Sequence, residues 1–187
     1  AGKTTTFYMI VGLIKPDNGN VFFNNEEITN TAMYKRSRMG IGYLPQESSI
    51  FKKLTVEENI KILWEINKNI PKNQYESKLT ELLTEMGLLH LRHSKGFQLS
   101  GGEKRRVEIV RALASEPSFI LLDEPFAGID PIAVEEIKEL LKEISKKDIS
   151  ILITDHNVRE TLSLCDRAII LVDGNIIADG TEQQLKE

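Results

Sequence analysis

One cysteine, Cys165, stands in 187 residues. A lone thiol excludes an internal disulfide and any cysteine-based zinc cluster, and it fits a reducing, cytoplasmic setting. Long apolar runs are missing as well. None approaches the roughly 18 residues that a membrane-crossing helix needs. The longest, Met9 to Ile14 and Ala168 to Val172, have the lengths of core strands or helices. Charge of one sign is also lacking: 24 Lys+Arg against 28 Asp+Glu give a formal net of −4. So mild a balance gives no support to a surface built for nucleic acid or an anionic membrane. The opening, Ala1-Gly2-Lys3-Thr4-Thr5-Thr6, has neither an initiator Met nor the basic-then-apolar layout of a secretory signal. It reads as the middle of a longer chain.

What is present is ordinary for a globular protein. Hydrophobic residues at 41% and charged residues at 28% exclude wholesale disorder. The length suits one domain, or one domain with an insert.

Continuous apolar runs at Ile41–Leu44, Ile120–Leu122 and Ile149–Ile153 are bounded by acids or turn residues. Runs of this kind predict strands covered on both faces, as in a parallel sheet. Between the last two lies 131–147, with Val134, Ile137, Leu140, Leu141 and Ile144 at helical spacing, which completes a βαβ unit. Ala168–Val172 meets Asp173-Gly174, a hairpin signal. Thr181 with Gln184 predicts a capping box opening a last helix. From about Lys52 to Gly96 the pattern changes to helices. Thr55 and Glu58 form a capping box, Pro71 interrupts, and a second helix carrying Leu79, Leu82, Leu83 and Met86 stops at Gly87. The reading is therefore an α/β fold with a parallel-sheet core (1–51 and 97–187) and an inserted helical subdomain (52–96).

Four short strings carry chemistry. Ala1-Gly2-Lys3-Thr4-Thr5 fits the tail of a phosphate loop, in which backbone N–H groups at a helix N-terminus face phosphate oxygens, Lys3 reaches the β- and γ-phosphates and Thr4 ligates Mg²⁺. Alone, Gly-Lys-Thr also arises by chance. Phe119 to Leu122 followed by Asp123-Glu124-Pro125 places two acids at the C-terminal end of a buried strand, where ligands of open α/β sheets bind. Asp123 suits a Mg²⁺ partner and Glu124 a general base; the bland alternative is a strand end marked by acids. Leu99-Ser100-Gly101-Gly102-Glu103 is a capping box whose adjacent glycines would let a backbone approach an anion. Thr154-Asp155-His156 follows a strand end, and so does Gln46. His90 and His93 read as surface. Lys104-Arg105-Arg106 reads as a solvated helix face, or as a group near a γ-phosphate or a dimer contact, in preference to a nucleic-acid site.

Taken in order, the phosphate-loop tail, Gln46, Leu-Ser-Gly-Gly-Glu at 99–103, Leu-Leu-Asp-Glu-Pro at 121–125, Asp130 and His156 resemble the ATPases of ABC transporters along the whole chain. Within that family, Tyr43 to Phe51 and Ile153 to Glu160 look most like the ATPases of bacterial lipopolysaccharide export. The branched-chain amino-acid importers are the alternative. The resemblance implies a P-loop NTPase (RecA-like) core and a head-to-tail homodimer holding two ATP. Ser100, Gly101 and Gly102 of one copy would face the γ-phosphate held by Gly2, Lys3, Thr4 and Thr5 of the other. Mg²⁺ would be held by Thr4, Gln46 and Asp123, and Gln46, counted with Glu124 and His156 as catalytic, would sense the ion and the γ-phosphate and relay this to the helical insert. Glu124 would be the base, His156 would contact the γ-phosphate, and Asp130 would stitch the dimer. It further implies transmembrane permease subunits contacting the protein near Phe51, and a place on the cytoplasmic face of the inner membrane. Glu103 stands where Gln is commoner in the family, and Ala127-Gly-Ile-Asp130 replaces its usual Ser-Ala-Leu-Asp. The first half of the phosphate loop and its strand are expected to precede Ala1, and without them weak ATP binding is expected. A soluble ABC ATPase acting on nucleic acid would carry a long coiled coil, which the stretch between Gln46 and Ser100 lacks. A non-enzymatic regulatory module would not need Glu124 and His156.

Overall fold

The computed structural model describes residues 2–68 and 70–186, without the side chains of 159 and 186. Ala1 of the phosphate-loop string lies outside it. The centre is a parallel sheet of β3 (Ile41–Leu44), β4 (Phe119–Asp123) and β5 (Ser150–Thr154), in the order β3-β4-β5. Strand β5 is displaced by one residue from its expected limits. In β4 successive side chains alternate between two buried layers. Leu121 joins Phe7, Val11, Ile28 and Ile41 on one face. Ile120 and Leu122 join Val107, Val110, Ile137 and Leu141 on the other. Ile120, Leu121 and Leu122 of β4 are each at most 1% exposed, which is why the strand reads as an unbroken apolar run.

The first layer is carried by α1 (Lys3–Val11), the short ribbon of β1 (Phe22–Phe23) and β2 (Glu26–Glu27), and α2 (Met33–Arg38). Gly12, at φ 85, ends α1. The apolar run therefore outlasts its helix, and Leu13 and Ile14 are exposed. Buried Arg36 of α2 ties this layer together. Its guanidinium donates to the carbonyls of Met9 and Ile10 (both 2.7 Å), Thr29 (3.1 Å) and Thr31 (2.7 Å). It thereby supplies donors to carbonyls in the last turn of α1, which lack intrahelical partners.

The second layer is α5 (Gly101–Leu113), α6 (Pro131–Ser145) and the insert. The insert's helix α3 (Val56–Asn67) opens on the expected Thr55/Glu58 capping box. Lys68, at φ 54, ends it. A short 3₁₀ turn at Lys72–Gln74 follows Pro71 and leads into α4 (Tyr75–Glu85), which stops before Gly87 at φ 66. A bridge between Thr55 and Lys95, with the Val56 N–H to Ser94 carbonyl bond (3.0 Å), closes the base of the insert. Buried Trp64 packs on Tyr75 and donates its indole N–H to the Ala114 carbonyl (2.7 Å). One continuous apolar cluster runs from Leu44 through Trp64 and Leu83 to Ile144, so the insert shares its core with α5 and α6.

After β5 come α7 (Val158–Leu162), β6 (Ala168–Val172), β7 (Asn175–Gly180) and α8 (Glu182–Lys186). Strands β6 and β7 form the expected hairpin, with Asp173 and Gly174 both at positive φ. The Thr181/Gln184 capping box opens α8.

Gly102 shows how closely the second layer packs. A Cβ added there would lie 2.4 Å from the Cβ of Ala133 on α6. Gly102 is thus fixed by contact between helices, whereas Gly101 has room for a side chain. We expect Gly102→Ala to cost about 1–3 kcal/mol by overpacking, and Ala133→Gly in the same chain to recover part of the loss. Urea unfolding of the two single variants and the double variant checks this. Equal stability of Gly102→Ala and the parent would refute the contact.

Candidate active site

The C-terminal ends of the three parallel strands bring one group of polar side chains together. Asp123 ends β4 and is 2% exposed; its Oδ1 accepts a 2.5 Å bond from the Thr154 hydroxyl at the end of β5. Glu124 follows, with its N–H bonded to the Thr154 carbonyl at 2.8 Å, so the β4–β5 ladder runs one residue past the strand. The backbone then turns sharply, placing Glu124 at φ 46. Such a conformation in a non-glycine residue costs about 1–3 kcal/mol and is concentrated at functional positions.

The two oxygens of Glu124 have different partners. Gln46 Nε2 donates to Oε2 at 2.8 Å, and His156 Nε2 lies 2.6 Å from Oε1. Gln46 comes from the loop after β3, and His156 from the loop after β5. Strand order alone therefore puts them on either side of the acid. His156 remains largely solvent-exposed, whereas Glu124 is 9% exposed. Lys3, the first residue of α1, reaches across to the Asp155 carbonyl at 2.8 Å. Gly2, at φ 101, caps the helix there, with Thr4 and Thr5 in its first turn. Tyr43 lies against this region from β3. Burial, then the charge of Asp123 and of Tyr8, push its phenol up to about 12 against the pull of Arg105, so it stays neutral at physiological pH.

Ser100, Gly101 and Gly102 stand elsewhere. Ser100 caps α5 and forms the expected box with Glu103. Asp130 caps α6 by accepting from the Ala133 N–H at 3.0 Å. Gly101 and Gly102 approach Ile129 and Ala133, so these two helix starts form a second cluster. Among the described residues, no hydrogen bond joins that cluster to Lys3, Gln46, Glu124 or His156.

Arg105 corrects the reading of Lys104-Arg105-Arg106 as a solvated or dimer-facing run. It is 7% exposed and donates to carbonyls of its own chain: Pro45 (2.8 Å), Asp123 (2.9 Å) and Pro125 (3.3 Å). Burial pushes its guanidinium below the ordinary value, against the raising effect of Glu108, which lies at 3.4 Å. Arg106 bonds Glu136 and the Gly87 carbonyl. Part of a signal was available: Val107, Ile109, Val110 and Leu113 span about 160° of a helix that turns about 100° per residue, a wide apolar face, and the structure buries α5 nearly all round. Charges on such a helix need partners inside the protein. Glu108, on the same helix, was missed for the same reason; Thr154 reaches Asp123 only through the pairing of β5 with β4. His90 and His93 are exposed, as expected.

Phe51 is 46% exposed, with the Arg111 guanidinium 5.5 Å above its ring. It lines a groove of about 380 Å³ with Tyr43, Ser49, Leu63 and Arg111.

Comparison with known proteins agrees with this geometry. Residues 1–127 match the family model described as ABC transporter. The chain belongs to that family and is an ATP-binding, ATP-hydrolysing subunit of it, with the fold of a P-loop NTPase. Its relatives include the lipopolysaccharide export system ATP-binding protein LptB of Haemophilus influenzae, 53% identical over 99% of this chain and 77% of that protein. LptB of Escherichia coli K12 is 50% identical over the same shares. Among solved structures, an ATP-binding cassette of an ABC transporter in its ADP conformation is 32% identical with a TM-score of 0.85, over 99% of this chain and 78% of that one. A dimeric cassette in a post-hydrolysis state, bound to ADP and Pi, is 27% identical with a TM-score of 0.82, over 97% and 81%.

The buried bond between Thr154 and Asp123 can be tested without nucleotide. Thr154→Val keeps the shape of a β5 residue but leaves the Asp123 carboxylate short of a donor. We expect a loss of about 1–3 kcal/mol in urea unfolding. A change below about 0.5 kcal/mol, the level of neutral surface substitutions, would show that the bond does not hold the strand ends together.

Proposed function

We propose that this subunit powers export of lipopolysaccharide from the inner membrane, hydrolysing ATP with Glu124 as the general base. The observation that carries the catalytic part is the position of Glu124, held between Gln46 and His156 at the end of β4. The identities with the lipopolysaccharide-export proteins support the substrate.

In this reading ATP lies across the start of α1, with Gly2, Lys3, Thr4 and Thr5 around its phosphates. Lys3 exchanges the Asp155 carbonyl for β- and γ-phosphate oxygens. Water attacks the γ-phosphorus, the bond to the β–γ bridging oxygen breaks, and Glu124 takes the proton of the water. Gln46 and His156 fix the orientation of the carboxylate, and His156 contacts the γ-phosphate. The Thr4 hydroxyl, Gln46 carbonyl and Asp123 carboxylate offer oxygen alone, the donor type that Mg²⁺ takes. Bound with the nucleotide, that ion would neutralise charge developing on the phosphates. Positioning and charge do most of the work in phosphoryl transfer.

The separate cluster of Ser100, Gly101, Gly102 and Asp130 supports a head-to-tail homodimer, in which this edge of one copy covers the nucleotide of the other. The dimeric cassette bound to ADP and Pi is consistent with that arrangement. The division into core (1–51 and 97–187) and insert (52–96) belongs to the same proposal. Transmembrane permease subunits dock at the groove beside Phe51, on the cytoplasmic face of the membrane. Among the described residues no helix is long and apolar enough to cross it.

Two experiments test the proposal. Glu124→Gln in the full-length protein keeps the shape but removes the base. We expect ATP binding to persist and turnover to fall by about 10²–10⁴-fold. Turnover within a factor of about two of the parent in a phosphate-release assay would exclude Glu124 as the base. Phe51→Ala should leave the melting temperature unchanged and weaken association with the permease by about 30-fold or more, the usual loss for an aromatic anchor. Co-purification from detergent measures it. A lowered melting temperature with intact co-purification would make Phe51 a core residue.

A further inference from the structure

Glu108 is a buried charge that the reaction leaves unused. It sits on α5 and is 2% exposed. Its Oε1 accepts from the Ser48 hydroxyl (2.6 Å), the Ser49 N–H (2.8 Å) and the Ile50 N–H (3.1 Å). These residues lie between Gln46 and Phe51. On the near side of Gln46, the Pro45 carbonyl accepts from Arg105, which faces Glu108 Oε2. The next turn of α5 adds Arg111, which donates to the Ser49 carbonyl at 2.8 Å. The loop carrying Gln46 is thus gripped from α5 on both sides.

We propose that Glu108 is a positioning residue for Gln46, and that through it the start of α5 sets the distance between Gln46 and Glu124. The inference rests on the reading of Gln46 and Glu124 as catalytic partners. Gln46 is exposed, so packing does not hold its side chain; its placement comes from the backbone on either side. That backbone presents two consecutive N–H groups to one oxygen of Glu108, and the Ser48 side chain adds its hydroxyl. A carboxylate suits this role, because hydrogen bonds to an ionised acceptor are shorter and stronger than those to a neutral one. Glu108 lies about 12 Å along the helix axis from Ser100, at 1.5 Å per residue. Within one rigid helix, a displacement at Ser100–Gly102 is carried to Glu108 and so to the Gln46 loop.

The test combines hydrogen exchange with kinetics in the full-length protein. Without nucleotide, Glu108→Ala should speed amide exchange in 46–51 by about tenfold or more, leaving β4 and α6 unchanged. Glu108→Gln should fall between, since its carbonyl still accepts without the charge. In steady state, kcat should drop about tenfold or more while KM for ATP moves by less than about twofold, because Lys3 and Thr4 are untouched. Ser48→Ala, on the exposed side of the clamp, should shift both readouts the same way by less, and it serves if Glu108→Ala fails to fold. Unchanged exchange at 46–51 would overturn the proposal. So would a lowered melting temperature with normal kcat, which makes Glu108 merely structural. The exchange arm contains no ATP, so a parent protein without turnover would fault the catalytic reading and leave the clamp standing.

Discussion

The arrangement depends on a charged pair set inside a helix that is covered nearly all round. Arg105 and Glu108 of α5 are both almost wholly buried. Removing two such charges from water costs several kcal/mol each, and their mutual attraction repays this only when further hydrogen bonds satisfy the remaining donors and acceptors. Here the further bonds come from backbone: carbonyls of Pro45, Asp123 and Pro125 for Arg105, and N–H groups of Ser49 and Ile50 for Glu108. These loops follow β3 and β4. The pair therefore stabilises the protein only while both loops keep their places, and the loops carry Gln46 and Glu124.

This constraint explains how side chains carried on loops are tied in place at the candidate site. Loops have high conformational freedom unless tied down. The loop after β3 is held by Arg105, Glu108 and Arg111 of α5, and beyond Ile50 by Asn59 of α3, whose amide both accepts from and donates to the backbone of Phe51. Gln46, proposed as a catalytic partner, and groove residue Phe51 thus lie on one short segment fixed from two helices. The second cluster, at the starts of α5 and α6, is fixed differently, by the approach of Gly102 to Ala133.

Much of this was legible in the sequence. The buried strands showed as unbroken apolar runs, and three capping boxes marked helix starts at Thr55, Ser100 and Thr181. The order of Gln46, Asp123, Glu124 and His156 after successive strands sufficed to place them at one sheet edge. What could not be read were side chains whose roles depend on distant backbone. Arg105 lies 60 residues from Pro45, and no local pattern joins them. Thr154 meets Asp123 through strand pairing, which periodicity does not specify. Gly102 looked like half of an anion-binding pair, and its neighbour Ala133 emerges only when two helices are packed.

Trp64 is the sole tryptophan of the chain. Its indole is buried between α3 and the end of α5, with its N–H on the Ala114 carbonyl. The protein thus contains its own optical gauge. Light at the red edge of the protein's near-ultraviolet absorption band excites one ring, seated where α3 packs on the end of α5. Any movement of α3 against α5 that lets water reach that ring alters its emission colour and lifetime, and no attached dye is needed to follow that contact in real time.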